Sequence, residues 1–215
     1  MDDRNSKERI MKMAADLFIK FGIRSVSMDD IAYHLGISKK TIYQYFSDKD
    51  EIVTLATLHY LGHEKDTVKT LQSKAKDPVD LLIQVSYYLR RNIKETTASL
   101  LFELHKYHIK AWRLMEAFRK EFLFEIVKQN LKMGIEQGHF REDLNPDVTS
   151  KVRLEESMMI YNEDVFPRNQ FNVKEVSDTL LDHFVFAICT EKGKKLYNKY
   201  KSQLESNNTL NTLGA

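Results

Sequence analysis

The stretch Ser27-Met28-Asp29-Asp30-Ile31-Ala32-Tyr33-His34-Leu35-Gly36-Ile37-Ser38-Lys39-Lys40-Thr41-Ile42-Tyr43-Gln44-Tyr45-Phe46 decides the fold class. Ser27 reads as a helix N-cap, and Asp29 and Asp30 fall in the first turn, where the helix dipole favours negative charge. This short helix stops near Leu35-Gly36, and Ser38 caps the next, Lys39 to Phe46. In that second helix Ile42 and Phe46, four residues apart, are the inward anchors. A short helix, a glycine turn and another short helix form the layout of a helix-turn-helix.

The flanks are also helical. Ile10, Met13, Ala14, Leu17, Phe18 and Phe21 recur at three- and four-residue steps and end at Gly22. Ser47, with Asp50 and Glu51 in the following turn, opens a longer fourth helix. Asp77-Pro78 and Asn145-Pro146 each read as an N-cap followed by proline at the first helical position. Between them, Val79 to Ile93, Leu100 to Ile109 and about Ala111 to Glu136 have helical spacing, with Gly138 as the stop. Val148 to Tyr161 follows. An irregular link containing Pro167 leads to a last helix or helix pair, Val173 to about Lys201, bent near Gly193.

The expected fold is all-α. An N-terminal three-helix domain built on this helix-turn-helix (1–50) joins a larger helical domain (51–201), and a polar tail (202–215) frays. Short helices crowd into the first fifty residues, which sets the boundary inside the fourth helix, near Glu51 to Leu71. Glycine and proline number 7 and 3 in 215 residues, too few for a barrel or sandwich of many short strands. No apolar run is long enough to span a membrane and no secretion signal opens the chain, so the expected compartment is the cytoplasm and no membrane partner is expected. The one cysteine, Cys189, excludes an intrachain disulfide and reads as a small buried hydrophobe. A net charge of +2 says little about a polyanion partner, so the argument rests on where the charges sit.

They sit on the second short helix. Lys39, Lys40, Thr41, Tyr43, Gln44 and Tyr45 make its outer surface polar, as entry into a major groove requires. Gln44 can pair with adenine and Lys40 can reach guanine. Lys49 can neutralise a phosphate, Thr41 and Tyr45 can bond phosphate oxygens, and the Ser27 cap leaves backbone N–H groups free at a helix start.

At these residues the chain resembles the tetracycline-repressor (TetR) family of bacterial transcription regulators. The match runs through Asp29-Asp30-Ile31-Ala32, then Gly36 to Phe46, with Lys49 three residues on, after a Leu17-Phe18-x-x-Phe21-Gly22 helix end. It covers the first quarter of the chain. Gly138-His139-Phe140-Arg141-Glu142-Asp143-Leu144-Asn145-Pro146 is similar to the family's entry into its dimerising helix. Two positions depart from the pattern: Lys40 stands where glycine is common and Gln44 where histidine is common. The resemblance implies phosphate contacts at Ser27, Thr41, Tyr45 and Lys49, and a groove face of Lys39, Lys40, Tyr43 and Gln44. It also implies that 1–50 is the DNA-binding domain and 51–201 the ligand-binding and dimerisation domain of a homodimer, with double-stranded operator DNA as partner and a small-molecule effector that releases the protein from DNA, most often as a repressor. The dimerising helices would be Val148–Tyr161 and Val173–Ile188, the latter through Val176, Leu180, Leu181, Phe184, Val185 and Ile188.

An effector pocket has a weaker signature. Trp112, Phe118 and Phe122, with Phe102, Met115 and Met158, read first as core and second as pocket lining, with His105 beside them. No metal or other cofactor is expected: His59 and His63 lack a third ligand and the HExxH pattern is absent. Nor is an enzyme, since G-x-S-x-G, P-loop and dinucleotide-binding glycine motifs are all missing. A helical DNA-binding adaptor without an effector is the remaining alternative.

Overall fold

The computed structural model describes residues 3–93 and 98–212, with side chains over 5–90 and 98–204. Among the described residues there are eleven α-helices, one π-helical stretch and no strand. They are α1 (Asp3–Phe21), α2 (Met28–Leu35), α3 (Lys39–Tyr43), α4 (Lys49–Lys74), α5 (Pro78–Ile93), α6 (Ala98–Tyr107), α7 (Ile109–Ala117), α8 (Phe124–Glu136), α9 (Pro146–Met159), α10 (Val173–Ile188) and α11 (Glu191–Thr212). The π-helical stretch, Phe118–Leu123, joins α7 to α8. No described helix is long and apolar enough to cross a membrane.

The helices form two compact units that do not divide at residue 50. The first comprises Met1–Asp66 with Asn92–Phe118, the second Thr67–Arg91 with Arg119–Ala215. Packing explains why α6 and α7 join the first. Leu104 and Ala111 are buried in one core with Ile10, Phe18, Ile31, Ile42 and Ile52. The Glu103 carboxylate accepts the Arg24 backbone N–H at 2.9 Å, and His108 Nδ1 meets Asp50 Oδ1 at 2.7 Å. These contacts span long stretches of sequence, so local patterning does not reveal them.

In the second unit α8 packs along α9, and α10 packs on both α9 and α11. Its core gathers Val79, Ile83, Leu131, Phe140, Phe184, Val185 and Tyr197. The break between α10 and α11 falls at Cys189, whose extended backbone forms an isolated antiparallel bridge with Phe140, and not at Gly193. Arg141 N donates to the Ile188 carbonyl and Thr190 N to the His139 carbonyl, both at 2.9–3.0 Å. Gly193 instead lies against the 139 carbonyl, where a Cβ would overlap the oxygen. Cys189 is buried, which pushes its thiol pKa up to about 12. Residues 202–212, expected to fray, continue α11, and 213–215 lie outside the described residues.

Two alanine substitutions separate close approach from helix propensity. Gly193→Ala should destabilise the protein by about 1–3 kcal/mol, because the added methyl meets a backbone carbonyl. Gly62→Ala on α4, where nothing lies within 4 Å, should stabilise it by about 0.4–1 kcal/mol. Urea denaturation of the three proteins measures both; equal effects at the two sites would contradict the close approach at Gly193.

Candidate nucleic-acid interface

Helix α2 begins with a reciprocal capping box. Ser27 Oγ accepts the Asp30 N–H at 3.1 Å, and the Asp30 carboxylate accepts the Ser27 N–H at 2.7 Å. The bonds from Ser27 hold the Asp30 carboxyl below its usual pKa. Gly36 then adopts φ +65°, and its neighbour Ile37 donates to the Ala32 carbonyl, which closes the helix and turns the chain. Ser38 caps α3 through the Thr41 N–H at 3.1 Å and also meets the Thr41 hydroxyl at 2.8 Å.

Helix α3 itself has five residues, too few to persist alone. Ile42 on α3 and Phe46 just beyond it are fully buried in the first unit's core and hold it in place. That leaves Lys39, Lys40, Tyr43 and Gln44 exposed together on the opposite side. Thr41 and Tyr45 are half-buried. Lys39 is paired with Asp29 at 2.7 Å, which raises its pKa, but the pair is exposed and so easily exchanged for a phosphate. Lys49 is half-buried with its ammonium 5.9 Å from the Phe18 ring centre; desolvation pulls its pKa down, against the attraction of Glu103 and Asp30.

The model for bacterial regulatory proteins of the tetR family matches residues 10–55, the span that contains this geometry. The chain is 28% identical over 159 residues to YvaF, an HTH-type transcriptional regulator of Bacillus subtilis, covering 74% of this chain and 83% of the relative. It is 26% identical over 146 residues to the HTH-type transcriptional repressor KstR2 of Mycobacterium tuberculosis, covering 65% and 71%. Its fold is similar to a TetR-family transcriptional regulator from Agrobacterium tumefaciens, with a TM-score of 0.72 at 18% identity over 87% of this chain and 99% of that one.

Over residues 10–55 the chain carries the domain described by the model for bacterial regulatory proteins of the tetR family. It is a transcriptional regulator with a DNA-binding helix-turn-helix. Within and beyond this domain the structure refines several of the residue assignments. Both the N–H and the hydroxyl of Ser27 are taken by Asp30, so Ser27 serves the α2 cap and has no free donor for a phosphate. Tyr33, on α2, escaped the sequence reading, yet it is 83% exposed on the helix that precedes α3. Its signal was an aromatic on the polar side of a short amphipathic helix.

The residues proposed for an effector pocket do not converge. Phe102 is 56% exposed and His105 is exposed, its ring 4.8 Å from Trp112. Trp112 packs against the first unit's core, and Phe118 is buried. Phe122 and Met158 are half-buried. Met115 lines a half-open cavity of the first unit with Phe18, Ile23, Tyr60, Leu101 and Leu104. A second cavity, of about 630 Å³ with its open space included, lies within the second unit between α5, α8, α9 and α10. None of the seven lines it.

The α10 residues assigned to a dimer interface are also differently placed. Val176, Leu181, Phe184, Val185 and Ile188 are buried in the chain's own fold, where a second copy cannot reach them, and Leu180 is half-buried. The exposed stripe of α10 is Thr179, His183, Phe186 and Ala187. Among the described residues no group of three or more His, Cys, Asp or Glu is arranged to hold a metal ion.

Removing the Ser27 hydroxyl tests the cap. Ser27→Ala should lower stability by about 1 kcal/mol, read from the midpoint of chemical denaturation. Should DNA affinity at matched folded fraction fall more than stability does, the hydroxyl has a role at the nucleic acid that the capping box does not explain.

Proposed function

We propose that this regulator is a repressor that binds a near-palindromic operator as a homodimer and is released by a small molecule bound in the second unit. One observation carries the DNA part. Lys39, Lys40, Tyr43 and Gln44 stand exposed on a helix whose other side is anchored by buried Ile42 and Phe46. Lys40 and Gln44 are the base readers in this proposal, and Thr41, Tyr45 and Lys49 the phosphate contacts. The repressor assignment is supported by the likeness to KstR2. The cytoplasm, where operator DNA is found, is the compartment this reading requires.

The dimer is supported by unpaired apolar surface. Val148, Val152 and Met159 form one exposed stripe of α9, and Phe186 with Ala187 lies on the exposed stripe of α10, which packs against α9. Such a patch marks an interaction surface, and a twofold axis lets one patch serve both partners. A dimer of this kind sets two recognition helices roughly 34–36 Å apart, one DNA turn. The effector site is supported by the second unit's cavity, a largely apolar recess between α5, α8, α9 and α10 that Arg153 and Asn130 also line. By linkage, an effector that weakens operator binding by some factor is itself bound more weakly to the DNA complex by that same factor.

Selection of bound fragments from random DNA, followed by mobility shift across a salt series, tests the DNA roles. Lys49→Ala should weaken all sequences and lower the salt slope by about one, whereas Gln44→Ala should change the sequence preferred. An unchanged preference in Gln44→Ala would remove that residue from base reading.

For the dimer, the wild-type protein should sediment as a dimer and Phe186→Glu as a monomer, with operator affinity falling at least about tenfold, the loss expected when one of two half-site contacts is uncoupled. A wild-type monomer at micromolar concentration would overturn the assembly.

A further inference from the structure

The second unit's cavity is not uniformly apolar. Leu82, Val85, Leu89, Ile126, Phe140 and Leu154 contribute most of its wall, but Arg153 of α9 and Asn130 of α8 also face it. Arg153 is a costly residue to place there, because a cation taken out of water must find compensation. It has little. Its Nη2 donates to Ser86 Oγ at 3.0 Å, and the guanidinium lies 5.1 Å from the centre of the Phe184 ring. A guanidinium has five N–H donors, and one bond to a neutral hydroxyl leaves most of that capacity unused.

Other carboxylates of α9 and α10 are engaged elsewhere. Asp178 pairs with Arg90, Asp182 holds Lys201 and the Tyr197 hydroxyl, and Glu155 pairs with Arg119. Glu156, one turn along α9, attracts Arg153 without a described hydrogen bond to it, and its buried Oε2 has no hydrogen-bond partner. Burial raises the pKa of Glu156, against the attraction of Arg153 and His183. The cavity therefore holds a guanidinium whose described hydrogen bond is to a neutral hydroxyl, within largely apolar walls and with Glu156 attracting it without a direct contact.

Asn130 supplies a second unmet valence. Its Nδ2 donates to the Pro78 carbonyl at 2.9 Å, which fixes the amide orientation, since only the NH₂ can donate to a carbonyl. The opposite atom, Oδ1, is buried without a partner. A buried acceptor left unsatisfied is destabilising in the empty site and rewards a ligand that brings a donor.

We propose that this cavity binds an apolar carboxylate, whose acid group takes the free donors of Arg153 while its hydrocarbon body fills the space between α5, α8 and α10. A hydroxyl or amide N–H on the same ligand, within reach of Asn130 Oδ1, tightens binding further. The inference rests on the effector reading above, to which it adds a ligand class. A carboxylate matches the planar fork of arginine with two parallel bonds, whereas an alcohol offers a single neutral acceptor and an ammonium adds repulsion.

Calorimetric titration of the full chain with decanoate, decanol and decylammonium, each below its micelle concentration, distinguishes these chemistries. Decanoate should bind at least about tenfold more tightly than decanol, the factor corresponding to about 1.4 kcal/mol, and decylammonium weakest. Arg153→Met keeps the side chain's length without its charge. It should retain decanol binding, which reports an intact cavity, and lose the preference for decanoate. If the wild-type protein binds decanol or decylammonium as tightly as decanoate, or binds none of the three, the proposal fails whatever the variant does. A preference for decanoate that survives in Arg153→Met also overturns it. Mobility shift with and without decanoate separates the two layers. Tight, Arg153-dependent binding that leaves DNA affinity unchanged upholds the ligand class and removes the effector role. Release of DNA by decanol and decanoate alike keeps the effector role and removes the ligand class.

Discussion

The burial of Ile42 and Phe46 is the contact on which the rest of the DNA-binding unit depends. A five-residue helix has almost no stability of its own, since nucleation costs more than so few backbone bonds return. It persists because two side chains four residues apart insert into a core built by α1, α2 and α4, while Ser38 ties its first turn. Both anchors point one way, so Lys39, Lys40, Tyr43 and Gln44 must point the other. The outward face is thus a consequence of packing, and its residues are free to vary in chemistry without loss of the fold.

That separation explains why this part of the molecule was readable from residues alone. The signals are local: serine caps at Ser27 and Ser38, the left-handed turn at Gly36, and the spacing of Ile42 to Phe46. Each acts within about four residues, the range over which sequence pattern and backbone geometry are directly coupled. Even there the reading ran past the pattern at Ser27. The same side chain can cap a helix or hold a phosphate, and only the Asp30 contacts decide between them.

Farther along the chain the deciding contacts are long-range, and the pattern is silent about them. Helix α10 is apolar on more than one side, so periodicity identified it as doubly used without telling which side meets its own domain. The structure gives Val176, Leu181, Phe184, Val185 and Ile188 to the chain's own fold and leaves Phe186 outside. The break before α11 depends on a bridge from Phe140 to Cys189, residues 49 apart, and glycine at 193 served close approach in place of bending. The division into units follows the same logic. Glu103 and His108 reach Arg24 and Asp50 across the sequence, and so α6 and α7 fold with the DNA-binding helices.

The cavity shows the limit of reading hydrophobic stripes. Aromatic residues at helical spacing report that a surface will be covered, which is equally true of a solid core and of a ligand site. Phe118 is buried and Trp112 packs on a core, while Phe102 is left outside. What distinguishes a site from a core is the polar group that a core would exclude. Arg153 and Asn130 are such groups, but in sequence an arginine on an amphipathic helix is indistinguishable from a solvated one. Burying that charge is unfavourable for the isolated chain, and well-packed apolar residues would serve stability at least as well. Its presence is best accounted for by what it does when the cavity is filled, so the destabilising residue, not the apolar wall, is the informative feature of this half of the molecule.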